Sequence, residues 1–137
     1  MLKTILNRLK PEVEKIIVKE QAGFRAGRST TEPIFNRHIL CEKYLQQGLY
    51  HVFIDFRKAF NRVCHAALWA TMKEDNISTN LIRVIKNLYN KATSVVLFNS
   101  SIGDWFQTTV GVRQACLLSP TLFNIFLERI ISIYLII

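Results

Sequence analysis

The sequence predicts an α+β domain, on three observations. Apolar residues recur at helical spacing in several separate stretches. One short run, Val52-Phe53-Ile54-Asp55-Phe56, is made of strand formers around a single carboxylate. Two further strand-like runs flank a polar turn at residues 99–104. The expected order is helices, strand, two helices, hairpin, helix, with the helices packed on a small antiparallel sheet. The chain has 137 residues, 50% of them hydrophobic, which suits one domain with its own core.

Leu2, Ile5, Leu6 and Leu9 share one helical face. Pro11 is expected to break that turn and to start a second short helix as its first residue, with Val13, Ile16 and Ile17 facing inward. Gln21-Ala-Gly-Phe-Arg-Ala-Gly-Arg-Ser-Thr30 is a loop with two glycines and two arginines. Its backbone can approach a ligand closely between guanidinium groups, or it is simply a solvated loop. It lacks the Gly-Lys-Ser/Thr ending of a P-loop. Thr30 or Thr31 is placed to cap a helix running to about Gln47, with Ile34, Phe35, His38, Ile39, Cys41 and Leu45 on its apolar face and Gly48 ending it.

The run at 50–56 then reads as a strand buried on both faces. Asn61 is expected to cap the next helix, which carries Val63, Leu68, Trp69 and Met72 and closes at Asn76. Ser78 starts another, with Leu81, Ile82, Ile85, Leu88 and Tyr89. Residues 93–98 and 105–110 form the hairpin strands. Gly111 opens a loop to Ser119-Pro120, expected as a cap followed by proline at the first helical position. The last helix carries Leu122, Phe123, Ile125 and Phe126 and continues into the apolar residues 130–137.

Net charge is +8, and the excess sits in the first half. Residues 1–64 hold 12 Lys and Arg against 6 Asp and Glu, and residues 65–137 hold 6 against 4. Such a balance suits a polyanionic partner, nucleic acid before an anionic membrane. Cys41, Cys64 and Cys116 are too scattered for a disulfide framework or a zinc site, and His38 with Cys41 does not complete a metal site. No signal peptide is apparent, and the apolar tail is too short to span a bilayer. The expected setting is intracellular, cytoplasm or nucleus.

A buried carboxylate costs several kcal/mol unless a positive group meets it. Asp55 therefore either pairs with a neighbouring Arg or Lys, or binds a cation at a strand end. A basic glycine loop lies upstream, and the polar loop Gly111-Val-Arg-Gln-Ala-Cys-Leu-Leu-Ser-Pro120 lies downstream. A strand-end carboxylate near arginines that can meet phosphates is the layout of a nucleotidyl-transfer site.

These stretches resemble the reverse transcriptase domain of non-LTR (LINE-type) retrotransposons, from about residue 5 to residue 129. The resemblance rests on residues 21–30, on Phe53-Ile-Asp-Phe-Arg-Lys-Ala-Phe-Asn-Arg-Val63, and on residues 111–120 with Leu122-Phe-Asn-Ile-Phe126 behind them. It implies a partial right-hand polymerase fold, with residues 1–48 fingers-like and 49–137 a partial palm. It implies Mg²⁺ held by Asp55 and the Phe56 carbonyl. Arg25, Arg28, Phe60, Gln114 and Ala115 would meet the nucleotide, with Phe60 as the gate against a ribose 2′-hydroxyl. Arg113, Arg57 and Lys58 would meet nucleic acid. The implied partners are an RNA or DNA template-primer and a deoxynucleoside triphosphate; no oligomeric state follows.

Three departures qualify that expectation. An enzyme of this kind needs a second acidic motif, Ala-Asp-Asp after an aromatic residue, and these 137 residues contain no Asp-Asp pair. One carboxylate holds two divalent cations poorly, because their mutual repulsion goes uncompensated. Ala115 stands where the family usually has glycine, and Asn61 where aspartate is usual. Residues 130–137 also fail to match. The expectation is a truncated domain that is inactive alone; the alternatives are a non-catalytic nucleic-acid-binding module or a non-functional retrotransposon remnant.

Overall fold

Leu9, Leu68, Met72, Ile85, Leu118, Leu122 and Ile125 are fully buried and come from four different helices and a loop. The structure, a computed structural model, describes residues 1–134. The apolar tail's last residues, 135–137, lie outside the described residues. The helices are α1 (Leu2–Val13), α2 (Thr31–Lys43), α3 (His65–Glu74), α4 (Thr79–Asn90) and α5 (Ser119–Tyr134). The strands are β1 (Thr93–Ser94), β2 (Leu97–Phe98), β3 (Ser101–Ile102) and β4 (Phe106–Gln107). The class is α+β as expected. The core, however, is helix on helix: α1, α3, α4 and α5 build one apolar cluster, and the hairpin stands outside it.

Pro11 does not break the first helix. It lies inside α1, which places Ile5, Leu9 and Val13 on one buried stripe. An interior proline costs about 3 kcal/mol. Here it sits in the last turn, and burying Val13 and Ile17 offsets that at about 1.5–3 kcal/mol per side chain.

α2 ends at Lys43, short of Gln47, and none of its residues is buried. Its intended apolar face, Ile34, Phe35 and Ile39, is exposed, as is Leu45 beyond it. Neither threonine caps it through its side chain; instead the Thr31 N–H donates to Ser29 Oγ at 3.3 Å. Gly48 does take the left-handed conformation, φ +64°, after the turn that follows α2.

The largest correction is at residues 50–56. They form no strand. Val52 is 84% exposed and Phe53 76%. The composition suits a sheet, but a strand needs a neighbour to take its backbone hydrogen bonds. Among the described residues the pairings are β1 with β4, β2 with β3, and one bridge between Cys64 and Val110.

Asn61 lies in a 3₁₀ turn, Phe60–Arg62, and α3 starts after Cys64 rather than on an Asn61 cap. The end of α3 is as expected. Asn76 adopts φ +58°. Its N–H donates to the Lys73 carbonyl and the Ile77 N–H to the Met72 carbonyl, which completes a Schellman motif. Ser78 precedes α4, and its N–H donates to the Glu12 carboxylate at 2.8 Å, joining α4 to α1.

The hairpin turns more tightly than expected. Asn99 and Ser100 both have positive φ, so the reversal is a two-residue type I′ turn and pairing resumes at Ser101. Val96 to Ser101 belong to a ribbon whose apolar side chains are exposed. Among the described residues no helix is long and apolar enough to cross a membrane.

Candidate functional site

Phe60 is where the three stretches singled out in the sequence meet. Its ring stacks on Phe123 of α5 with centroids 4.6 Å apart and planes inclined 16°. Phe24 of the glycine loop meets it edge-on at 5.7 Å. Its carbonyl accepts the Val112 N–H at 2.8 Å, which brings in the loop at 111–120.

That second loop is stapled to residues 60–65. The Gly111 N–H donates to the Val63 carbonyl at 2.8 Å. His65 Nε2 lies 2.7 Å from the Gly111 carbonyl, so this nitrogen carries the proton and donates. Gly111 is required here. Its φ is +88°, and a Cβ would come within 3.0 Å of the Asn61 carbonyl oxygen. Three residues on, Gln114 is exposed and its Nε2 donates to Asn61 Oδ1 across 3.4 Å. Ala115 also has a left-handed φ, +58°. Burial pushes the Tyr89 phenol above its ordinary value, consistent with its place in the core.

The glycine loop is held from below by Asn124, which is 2% exposed. Its Nδ2 donates to the Gly23 carbonyl at 2.8 Å, and its Oδ1 accepts from Gln21 Nε2 at 3.3 Å. Sequence reasoning passed over this residue. The signal was a lone amide inside Leu122-Phe-Asn-Ile-Phe126, since a buried amide in an apolar run needs partners. His65 was missed likewise.

The two arginines of this loop differ. Arg25 turns inward: it pairs with Glu14 at 2.6 Å and donates to the Val18 and Gln21 carbonyls, with its side chain 10% exposed. Arg28 stays exposed and pairs with Glu32 one helical turn on, at 2.9 Å. Arg57, Lys58 and Arg113 are exposed too.

Asp55 and Phe56 line a cavity of about 290 Å³ against α5, formed with Arg57, Arg62, Phe126 and Ile130 among others. Asp55 makes no ion pair among the described residues. It is the one carboxylate on this cavity, and two guanidinium groups share the lining. No group of three or more His, Cys, Asp or Glu side chains that could hold a metal ion occurs among the described residues. This donor set does not fit a pair of divalent cations.

The loop at 21–30, the segment 53–63 and the loop at 111–120 thus converge on one phenylalanine. The family model for reverse transcriptase (RNA-dependent DNA polymerase) matches residues 1–135, and the chain belongs to that family. It is 33% identical over 133 residues to the RNA-directed DNA polymerase from mobile element jockey of Drosophila melanogaster, covering 92% of this chain and 14% of that protein. It is 30% identical over 128 residues to the transposon TX1 uncharacterized 149 kDa protein of Xenopus laevis, covering 92% of this chain and 10% of that protein. To the probable RNA-directed DNA polymerase from transposon X-element of Drosophila melanogaster it is 28% identical over 117 residues, covering 84% and 13%. The chain thus spans a small fraction of the length of the curated relatives it matches.

Proposed function

We propose that this chain is a reverse-transcriptase module that binds a nucleic-acid template-primer and performs no DNA synthesis by itself. In this reading residues 1–48 are the fingers-like part and residues 49–137 a part of the palm. The observation that carries it is the convergence of the three stretches on Phe60, together with an Asp55 that has no second carboxylate on its cavity. Arg28, Arg57, Lys58 and Arg113 supply exposed cations for phosphates, and Arg25 braces the loop that presents Arg28.

Polyphosphate binding by such cations is driven largely by counterion release, so affinity falls as salt rises. The test is fluorescence anisotropy of a labelled RNA–DNA template-primer against salt. The reading expects binding at low salt that weakens about tenfold or more by physiological salt. Affinity that does not change with salt contradicts it.

A further inference from the structure

We propose that a second cleft, bounded by α3, α4 and the β4 end of the hairpin, binds the phosphodiester backbone of a nucleic-acid strand. The proposal rests on the nucleic-acid-binding reading above and assigns it a separate surface.

The cleft has a volume of about 680 Å³, more than twice that of the cavity at Asp55. Lys73 of α3 and Lys86 of α4 both line it, and no aspartate or glutamate does. The ion pairs among the described residues are Arg25–Glu14, Arg28–Glu32 and Arg129–Glu74, so neither lysine is neutralised by one. Thr108 and Thr109 add hydroxyl donors on the third wall.

The walls are held in place. Gln107 Nε2 donates to the Asn90 carbonyl at 2.9 Å, tying β4 to the end of α4. His65, Trp69 and Tyr89 pack against one another beneath the cleft, with ring centroids 5.1–5.9 Å apart. The backbone that carries the two lysines therefore stands on a packed base and needs little reordering when a polyanion arrives.

The chemistry of the lining fixes the class of ligand. Two unpaired ammonium groups with hydroxyls select an anion. Trp69 and Tyr89 are 7% and 6% exposed, so they offer no face on which a base could stack. Recognition is thus of phosphates without base identity. A net charge of +8 and membership of a nucleic-acid-copying family favour a nucleic-acid strand over an acidic peptide.

Trp69 is a reporter inside this cleft, and the chain has one other tryptophan, the exposed Trp105. The experiment uses the full chain carrying Trp105→Phe and titrates it with a single-stranded oligonucleotide over a salt series, following Trp69 fluorescence and anisotropy of the labelled strand. The proposal expects Trp69 to respond. It expects Lys73→Gln with Lys86→Gln to abolish that response and to lower the slope of log K against log salt by about 1.4, or roughly 0.7 for each phosphate of a single strand that is no longer neutralised. Arg28→Gln with Arg113→Gln should weaken overall binding through the first surface, with Trp69 still responding once the strand is saturating. If the lysine variant keeps slope and response while the arginine variant lowers the slope, the cleft assignment is overturned and the nucleic-acid reading stands. Absence of binding by the parent overturns both. An equal Trp69 response to inorganic phosphate at the same phosphate concentration overturns the assignment to a strand.

Discussion

Gly111 lies so close to Asn61 that a β-carbon on it would sit 3.0 Å from the Asn61 carbonyl oxygen and 3.1 Å from its Cα. Backbone meets backbone at that point, and neither can move aside as a flexible side chain would. This approach is what sets the loop at 111–120 against the segment that carries Asp55.

Gly111→Ala is therefore expected to destabilise the fold by about 2–4 kcal/mol, combining left-handed strain with the clash. Gly48→Ala has a similar φ, +64°, but open space around it, so it should cost only about 1 kcal/mol. Urea denaturation of the two variants side by side checks the difference. Equal losses would remove the close approach from the explanation.

Ala115 also occupies the left-handed region, at φ +58°. Ala115→Gly relieves strain of about 1–2 kcal/mol and gives back roughly 0.5–1 kcal/mol in the entropy of the unfolded chain. A net gain of up to about 1.5 kcal/mol is expected, read as a higher urea midpoint at unchanged slope.

Asn124→Ala removes both side-chain links to the glycine loop and leaves the Gly23 carbonyl without this donor. Losing a buried amide with two partners costs about 1–3 kcal/mol. Faster limited proteolysis within residues 21–28 than in the rest of the chain should accompany it. Uniform loosening would mean that Asn124 serves the core as a whole rather than the loop.

The ring of Phe60 on Phe123 should behave as a coupled pair. Each alanine variant is expected to destabilise, and a double-mutant cycle should show about 0.5–1.5 kcal/mol of coupling. Strict additivity would argue against the stack.

Asp75 gives a prediction in pH. Desolvation raises its carboxyl above 3.8, with Arg129 pulling it back down and Glu74 adding to the rise. A raised acid disfavours the folded state wherever it is ionised, so its penalty is present above the folded value and disappears below the unfolded one. Asp75 also caps the carboxyl end of α3, where a negative charge opposes the helix dipole. Asp75→Asn should therefore be more stable than the parent at pH 7, and that advantage should shrink as pH falls through the raised folded value and be gone below about 4. Thermal unfolding of both proteins across pH reads it directly.

How much of this was legible in the sequence depended on the range of the forces involved. The end of α3 at Asn76 and the type of turn at Asn99-Ser100 are decided by local backbone preference, and the first was read correctly. The continuation of α1 through Pro11 was decided by burial of Val13 and Ile17 against distant helices, which local rules do not see. Residues 50–56 have a strand's composition, but a strand is a relation between two segments, and none of the described strands pairs with this one. At the site, the three stretches could be identified by residue type. Their meeting on Phe60, the inward turn of Arg25 onto Glu14 and the hold of Asn124 on Gly23 join residues 11 to 101 positions apart in sequence, which spacing alone does not reveal.

The most direct test of the central claim is primer extension by this 137-residue chain on an RNA template, with deoxynucleoside triphosphates and either Mg²⁺ or Mn²⁺, beside the Asp55→Ala variant. The account predicts that the parent retains the template-primer and adds no nucleotide, indistinguishably from the variant. Extension by the parent that Asp55→Ala abolishes would contradict it.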